Sequence, residues 1–340
     1  MDCTLEPLTL TLREPFRISR SVQTTAENVR VRISAGGSTG VGEAAPSRFY
    51  GETRATVTAA LPLLCECLGD DPFLLENISQ TFSETFHHGN AAARAALDMA
   101  LFDLIGNSTG LPVYRLLGLD PARTPVSSFT IGIDTPANMA RKAIEAESYP
   151  ILKIKLGTDH DLDIVRAVRE VSSARIRVDA NAAWSAKEAI RNIEQLAAFG
   201  IEFVEQPVAA HDLAGLKFVR DNVSIPIFAD ESCVTFEDVA HVAACVDGIN
   251  IKLMKCGGIL PALKMIHAAR SHGLKIMLGC MIESSIAITA AAHLSPLVDY
   301  ADLDGPLLVS DDPYDGVQYE HGKLILPDAP GLGVRVRMAG

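Results

Sequence analysis

The sequence predicts an α/β protein whose larger part is a (β/α)8 barrel of the TIM type, preceded by a separate α+β domain. From residue 126 onward, short apolar strands alternate with amphipathic helical segments. Ionisable residues close several strands at a regular spacing, because Lys155, Asp179, Glu205, Asp230 and Lys252 lie 24, 26, 25 and 22 residues apart. A period of about 25 residues holds one strand and one helix, and eight such units close a parallel barrel.

The N-terminal region begins with strand patterns and then becomes helical. Residues 1–45 alternate apolar and polar residues with period two, which predicts three strands. The polar, basic stretch 15–21 between the first two strands is predicted to be a mobile loop. Helical patterns follow over 53–117, where an alanine-rich helix over 91–104 is expected to be ended by Gly106 and Gly110. Strands followed by helices indicate an α+β domain, which we bound at residues 1–118.

The predicted barrel domain spans residues 119–312 and contains eight strand candidates. These are 126–131, 151–156, 175–179, 201–205, 225–230, 248–253, 275–279 and 298–302. In such barrels the C-terminal strand ends carry the chemistry, whereas packed apolar side chains fill the interior. Ionisable residues at those ends therefore predict a functional site. Residues 313–340 contain two short strand patterns around a Glu-His-Gly turn, and we expect this hairpin and tail to pack on the first domain.

Composition and charge exclude several classes of partner. The formal net charge of −12 argues against nucleic acid and against an anionic membrane. No apolar run reaches about 18 residues, and the N-terminus lacks a signal pattern. The seven cysteines show no zinc or redox spacing, which fits small buried thiols in a reducing compartment. We therefore expect a cytoplasmic protein.

Three carboxylates end neighbouring predicted strands, namely Asp179, Glu205 and Asp230 on strands 3, 4 and 5. Adjacent strands lie roughly 4.8 Å apart, so these groups can converge, and their repulsion calls for a cation among them. Ligation by carboxylates alone favours Mg²⁺ or Mn²⁺ over Zn²⁺. Asn181 and Glu231 follow two of the ligands and are expected to support them through hydrogen bonds. The alternative is that the three acids cap helices at the turns.

Two lysines share one face of predicted strand 2, Lys153 and Lys155, and their repulsion should make one of them easier to deprotonate. Lys252 ends strand 6, which lies opposite strand 2 in an eight-stranded barrel. A substrate held at the metal would then have an amine on each face of its reacting carbon. Removal of a proton α to a carboxylate gives an enediolate that a divalent ion stabilises. Return of a proton to the opposite face would invert the stereocentre.

The alternative for the first two lysines is an edge strand with solvated charges. For Lys252 it is a surface or ion-paired side chain, since Lys255 lies beside it.

The end of predicted strand 8 carries Asp302 and Asp304 on one face. This acid pair can receive a cationic group of a substrate, such as an ammonium. The alternative is an Asp-Gly-Pro turn stabilised by its own side chains. Thr130 at the end of strand 1, and Cys280 and Ile282 after strand 7, are expected to line the same pocket.

Taken together, these motifs resemble the enolase superfamily, in its muconate-lactonising subgroup, and within that subgroup the dipeptide epimerases of the L-Ala-D/L-Glu type. The similarity covers nearly the whole chain. It rests on the segments Lys-Ile-Lys (153–155), Asp-Ala-Asn (179–181), Glu-Gln-Pro (205–207), Ala-Asp-Glu-Ser (229–232), Asn-Ile-Lys-Leu (250–253), Gly-Gly (257–258) and Asp-Leu-Asp (302–304). Each motif is short, but their joint order and spacing are specific.

The resemblance implies a capping domain that closes over a modified barrel, with the C-terminal tail packed on the cap. It also implies Mg²⁺ on the three strand-end carboxylates, with Lys155 and Lys252 as the acid/base pair. Lys153 would assist Lys155 and contact the substrate carboxylate. An arginine after the first strand contacts an acidic side chain in the Ala-Glu enzymes, and Arg20 matches it, with Arg17 close by.

The implied function is epimerisation of a dipeptide at its C-terminal residue, as in L-Ala-L-Glu and L-Ala-D-Glu, with Asp302 and Asp304 holding the N-terminal ammonium. The same residues could serve o-succinylbenzoate synthesis, cycloisomerisation or N-acylamino acid racemisation, but the acid pair would then meet no ammonium. A non-catalytic barrel used for binding is a third alternative, against which the intact lysines and carboxylates argue. Barrels of this family often assemble, so a homo-oligomer is also expected.

Overall fold

The computed structural model describes residues 1–337 and begins with an antiparallel sheet covered by helices. The strands of this cap are β1 (Asp2–Ile18), β2 (Ser21–Ala35) and β3 (Ser38–Ala44). Its helices are α1 (Arg54–Cys65), α2 (Leu75–Thr85), α3 (Ala91–Thr109) and α4 (Val113–Leu116). The sheet order is β1-β2-β3, as expected for consecutive strands joined by short turns.

The predicted mobile loop at 15–21 is wrong, because both strands continue through it. Residues 16–18 pair with residues 21–23, so only Ser19 and Arg20 form the turn. Phe16 and Ile18 alternate with polar residues, a strand pattern that the basic side chains obscured. Pro15 lies where the register shifts, and a missing backbone donor is tolerated at such an irregularity. The result is a long hairpin whose tip reaches the barrel.

The alanine-rich helix α3 packs directly on β3 through backbone contacts. A Cβ atom at Gly42 would lie 1.9 Å from the carbonyl oxygen of Ala96, so only glycine permits this approach. The expectation that Gly106 ends the helix is wrong. The helix continues to Thr109 and ends at Gly110, which takes the left-handed φ of 73°. Gly106 instead packs against the C-terminal tail, so its role is close contact rather than termination.

The second sheet has eight parallel strands, and each of the eight predicted candidates contains one of them. They are β4 (Phe129–Ile131), β5 (Ile151–Lys155), β6 (Arg175–Asp179), β7 (Ile201–Glu205), β8 (Ile227–Ala229), β9 (Gly248–Ile251), β10 (Lys275–Leu278) and β11 (Tyr300–Ala301). Consecutive strands pair in order, and Ser127 bridges Ala301 in parallel to join the first strand to the last. The predicted barrel fold is therefore confirmed.

Helices follow the strands around this barrel. They are α5 (Pro136–Glu145), α6 (Asp161–Val171), α7 (Ala186–Leu196), α8 (Leu213–Asn222), α9 (Phe236–Val242), α10 (Leu253–Cys256), α11 (Ile259–Ser271), α12 (Ser285–Ala292) and α13 (Gly305–Leu308). Short 3-10 turns lie at Arg48–Tyr50, Pro121–Arg123, Ala197–Phe199 and Ser295–Leu297. The amphipathic helices bury one face against the sheet, for example Ile164, Val165 and Val168 of α6.

Aromatic side chains fill one layer of the barrel interior. The rings of Phe203 and Phe228 stack with centroids 4.2 Å apart, and Tyr300 meets both edge-on. The guanidinium of the buried Arg177 lies 5.2 Å from the Phe203 ring centroid, within cation–π range. This layer makes that part of the interior a packed core, as is usual for barrels of this type.

After the barrel the chain forms β12 (Tyr314–Asp315), β13 (Gln318–Glu320), β14 (Lys323–Ile325) and β15 (Arg335–Val336). β13 and β14 pair antiparallel around the turn at His321 and Gly322. The tail then reaches the cap helices, because the backbone N–H of Leu332 donates to Asp103 of α3 at 2.7 Å. Within residues 1–337, no helix has the length and apolar character needed to cross a bilayer.

The expectation that the cysteines are free thiols is wrong for one pair. Cys3 of β1 and Cys65 of α1 form a disulfide, with their Cα atoms 6.2 Å apart and a separation of 62 positions in the sequence. Among the described residues the other cysteines are free. No spacing motif could reveal this pair, because the contact exists only after the end of α1 has packed beside β1.

Candidate active site

Three buried carboxylates converge at the C-terminal ends of adjacent strands. Asp179 ends β6, Glu205 ends β7 and Asp230 follows β8, and each offers an oxygen within 4.8 Å of the others. Burial, with Asp179 and Asp230 nearby, raises the pKa of Glu205 to about 7. The helix-capping alternative is not seen, because α7, α8 and α9 begin at the caps Ser185, Asp212 and Thr235.

The donor set fits a hard divalent cation. All three groups are carboxylates, which suit Mg²⁺ or Mn²⁺. The Oε2 atom of Glu205 lies 2.6 Å from Nζ of Lys153 but outside hydrogen-bond geometry, so this buried oxygen is incompletely satisfied. Three like charges so close together cost free energy unless positive charge is added.

Two amines flank the carboxylates from opposite sides. Lys155 Nζ lies 2.6 Å from Asp179 Oδ2, and Lys252 Nζ lies 2.7 Å from Asp230 Oδ2. Lys155 ends β5 and Lys252 follows β9, four strands away in the eight-stranded barrel. Although burial opposes its charge, Asp230 and Glu205 hold the pKa of Lys252 above its ordinary value. The arrangement places an amine at each side of whatever the carboxylates bind.

Lys153 does not behave as one half of a repelling pair of lysines. Its Nζ lies 2.6 Å from Glu205, 2.7 Å from Asp302 and 3.4 Å from Asp179. Although burial opposes the charge, these acids hold the pKa of Lys153 well above its ordinary value. Lys153 is therefore not the member of the pair that is easier to deprotonate. The sequence pattern showed two adjacent lysines but not the three carboxylates that meet one of them.

The acid pair after β11 is directed toward β4. Asp302 accepts hydrogen bonds from Ser128 Oγ at 2.7 Å and Thr130 Oγ1 at 3.2 Å. Asp304 accepts one from the Thr130 backbone N–H at 2.6 Å. Both carboxylates therefore point away from the Gly-Pro turn, which weighs against a role limited to that turn. Cys280 Sγ lies 3.9 Å from Asp304 Oδ1, so this side chain is beside the acid pair.

The two aspartates differ in charge compensation. Burial favours their neutral forms, but Lys153 and Lys155 lower the pKa of Asp302 to about 2. Burial and the neighbouring Asp302 raise the pKa of Asp304 to about 7. Among residues 1–337, Asp304 is therefore the member of the pair that forms no salt bridge with a lysine or arginine.

The tip of the β1–β2 hairpin rests on the loops after β6 and β8. The guanidinium of Arg20 pairs with Glu231 at 2.7 Å and donates to the carbonyl oxygen of Asn181 at 3.0 Å. It also lies 4.3 Å from the Phe49 ring centroid. Asn181 supports Asp179 through its backbone N–H at 2.8 Å. The hairpin tip thus contacts the neighbours of two of the three clustered carboxylates.

Family comparisons agree with this geometry. Residues 3–118 match the family described as mandelate racemase / muconate lactonizing enzyme, N-terminal domain, and residues 136–340 match the enolase C-terminal domain-like family. The chain belongs to the mandelate racemase / muconate lactonizing enzyme family.

Members of this family with known names are similar over almost the full length. The L-Ala-D/L-Glu epimerase of Bacteroides thetaiotaomicron is 42% identical, covering 98% of this chain and 88% of that protein. The dipeptide epimerase of Enterococcus faecalis, solved with Mg and L-Leu-L-Tyr, is 39% identical with a TM-score of 0.93 and 98% coverage of both chains. The substrate-liganded L-Ala-D/L-Glu epimerase of Bacillus subtilis is 36% identical with a TM-score of 0.94 and the same coverage.

Two buried polar residues at the site were not predicted from the sequence. Asn250 donates to Glu205 Oε1 at 2.7 Å, and Lys255 contacts Asp230 Oδ1 at 2.7 Å. In the sequence, Lys255 only keeps open the alternative that its neighbour Lys252 is a surface or ion-paired side chain. Their positions relative to Lys252 could have indicated both, because Asn250 lies two residues before it and Lys255 three residues after it. The carbonyl of Ile282 accepts from the cap residue Asn28 at 3.0 Å, so the cap holds this predicted pocket segment.

Proposed function

We propose that this protein is a magnesium-dependent dipeptide epimerase that inverts the α-carbon of the C-terminal residue by proton transfer between two lysines. The observation that carries the proposal is the pair of amines on opposite sides of one carboxylate cluster. Racemisation and epimerisation need such a pair, because a proton must leave one face of the carbon and another must arrive on the opposite face. The names of the relatives supply the substrate class.

Asp179, Glu205 and Asp230 would hold Mg²⁺, and Mn²⁺ is a chemically similar substitute. When bound, the ion would supply the positive charge that stabilises the enediolate of the substrate carboxylate. Asn181 would support Asp179 through a hydrogen bond, and Glu231 would act indirectly, because it accepts from the Asn181 side-chain amide.

The chain's own residues would move the protons. One of Lys155 and Lys252 would enter the cycle neutral and remove the α-proton, while the other would enter protonated and deliver a proton to the opposite face. The two roles would exchange for the opposite stereoisomer. Lys153, bridging Glu205 and Asp302, would place a positive charge beside the substrate carboxylate.

The acid pair would receive the dipeptide ammonium, chiefly through Asp304. Thr130, Cys280 and Ile282 would line the pocket around it. Arg20 would contact the side chain of the epimerised residue, and a glutamate there would have to compete with Glu231 for the guanidinium. L-Ala-L-Glu and L-Ala-D-Glu are therefore the first pair of substrates to test.

The ammonium contact is tested by Asp304→Asn. Losing one charged hydrogen bond is worth about 1.5–3 kcal/mol, so we expect kcat/KM for free dipeptides to fall about 10–100-fold. N-acetylated dipeptides, which lack the ammonium, should lose much less. Asp315→Asn is the matched control, because Asp315 is exposed and paired with Arg337. Equal losses for free and acetylated substrates would contradict the contact.

The function itself is tested with a dipeptide library in deuterium oxide containing Mg²⁺. We expect a mass gain of one unit at a single α-carbon, in the C-terminal residue, and equilibration of the two stereoisomers. N-acylamino acids and a succinylbenzoate precursor are included as competing substrates. Exchange restricted to those compounds would overturn the proposal. So would the absence of exchange from a protein that is shown to be folded.

We also propose the domain limits 1–118 for the cap, 119–312 for the barrel and 313–340 for the tail. Helix α4 ends at Leu116, just before the first limit, and the tail hydrogen-bonds to α3. A cytoplasmic location and assembly into a homo-oligomer remain predictions from the sequence.

A further inference from the structure

Four lysines surround the carboxylate cluster, and Lys255 differs from the other three. Its side chain is fully buried, and its Nζ lies within hydrogen-bond distance of four oxygens. They are Asp230 Oδ1 at 2.7 Å and the carbonyl oxygens of Asp230 at 2.6 Å, Asn250 at 2.8 Å and Cys233 at 3.0 Å. An ammonium has three N–H donors, so this group is saturated by the protein. Lys255 therefore has no donor to offer a substrate.

Each carboxylate of the cluster has one oxygen that a neighbouring protein group holds. We call these the anchored oxygens: Asp179 Oδ1, held by the Asn181 backbone N–H; Glu205 Oε1, held by Asn250; and Asp230 Oδ1, held by Lys255. The second oxygen of each group faces Lys155, Lys153 or Lys252, respectively. Anchoring one oxygen fixes the rotation of a carboxylate and so fixes where its other oxygen points.

The anchor on Asp230 also joins two segments of backbone, the end of β9 and the loop after β8. Lys255 Nζ donates to the carbonyl oxygen of Asn250 at the end of β9. It also donates to the carbonyl oxygens of Asp230 and Cys233 in the loop after β8. Asn250, from the same end of β9, anchors Glu205. The short segment 250–255 thus orients two of the three carboxylates from one side. A buried ammonium that joins a strand end, a loop and one carboxylate oxygen can fix the orientation of that carboxylate.

We infer that Lys255 is a positioning residue that orients Asp230 for metal binding. The inference rests on the metal site of the proposed function. The change in cation affinity that this role predicts for loss of Lys255 is opposite to the change predicted from charge alone. Deleting a positive charge near a cation site should strengthen cation binding by Coulomb's law, whereas losing the anchor of a ligand should weaken it.

The test is calorimetric titration of the full-length protein with MgCl2, without any dipeptide. We expect Lys255→Met to bind Mg²⁺ about 10–100-fold more weakly than the wild type, the range seen when supporting contacts of metal ligands are removed. Lys275→Met is the matched control and should bind like the wild type. Lys275 is exposed at the N-terminal end of β10, whereas the carboxylate cluster lies at the C-terminal strand ends. In turnover assays, saturating Mg²⁺ should restore most of kcat in Lys255→Met.

Folding of each variant is checked by circular dichroism and thermal unfolding, and Lys255→Gln, which keeps one donor group, is the second variant. A folded Lys255→Met or Lys255→Gln protein that binds Mg²⁺ as tightly as the wild type, or more tightly, would overturn the inference. Failure of both variants to fold would assign Lys255 to folding and also overturn it. A wild type that binds Mg²⁺ but exchanges no dipeptide proton defeats only the proposed function, and one that binds no Mg²⁺ defeats both.

Discussion

Replacing either Lys155 or Lys252 with methionine is expected to lower the rate of dipeptide epimerisation at least about 1000-fold. General acid–base groups contribute about 10²–10⁴-fold to rates, and here each cycle needs both amines. The buried ion pairs with Asp179 and Asp230 would lose one partner, but methionine fills nearly the same volume. The rate of inversion is measured by polarimetry or NMR on each pure stereoisomer.

Exchange of the α-proton with deuterium separates the two lysines. A variant that keeps one amine can still remove a proton from the face that this amine reaches and return deuterium to the same face. We therefore expect each variant to exchange one stereoisomer without inverting it, and the two variants to choose opposite stereoisomers. Selection of the same stereoisomer by both would place the amines on one side of the substrate and contradict the two-base scheme.

Lys217→Met provides the control for loss of a lysine as such. Lys217 is half exposed on α8, where it pairs with Asp221 four residues later. Exposed pairs of this kind contribute little to stability, typically about 0.3–0.5 kcal/mol. The control should epimerise and exchange like the wild type.

The barrel and the positions of its acids were predictable because they follow from periodicity. A parallel strand must be followed by a crossover of nearly constant length, so Asp179, Glu205 and Asp230 recur at strand ends about 25 residues apart. Neighbouring strand ends then have to meet. No knowledge of side-chain packing was needed for that step.

Contacts between distant segments were not predictable in the same way. The Lys255 ammonium meets three carbonyl oxygens, two from the loop after β8 and one from β9, and no local pattern encodes that convergence. The same holds for the disulfide of Cys3 with Cys65. The hairpin tip at Arg20 was misjudged because Pro15 and the basic residues suggested a loop, whereas strand pairing decided its structure.

The pairing of lysines shows how local reasoning can mislead about charge. Lys153 and Lys155 are two residues apart, and in isolation they would repel each other. In the barrel, Lys153 instead meets Glu205 and Asp302 from strands far away in sequence. These acids hold the pKa of Lys153 above its ordinary value, so the search for a base centres on Lys155 and Lys252.

Glu205→Gln is expected to weaken Mg²⁺ binding at least about 100-fold and to reduce epimerisation to about 1% or less at moderate Mg²⁺. Two unit charges about 5 Å apart interact by roughly 3 kcal/mol at an effective dielectric constant of about 20, and a divalent ion doubles that attraction. The amide also cannot satisfy both of its neighbours. Its NH2 group must face either the Asn250 side-chain amide or the Lys153 ammonium, which are both donors in this structure.

Glu202→Gln is the matched control for Glu205→Gln, because it makes the same substitution three residues earlier on β7. Glu202 pairs with Arg175 and Arg177 and makes no contact with the carboxylate cluster among the interactions of the described chain. Its loss should therefore lower stability without changing the heat of Mg²⁺ binding.

Chelation by EDTA should reduce the wild type to the level of Glu205→Gln, and added Mg²⁺ should rescue the wild type but not the variant. If Glu205→Gln kept wild-type Mg²⁺ affinity, Asp179 and Asp230 alone would be sufficient to hold the ion, and the three-carboxylate site would be wrong.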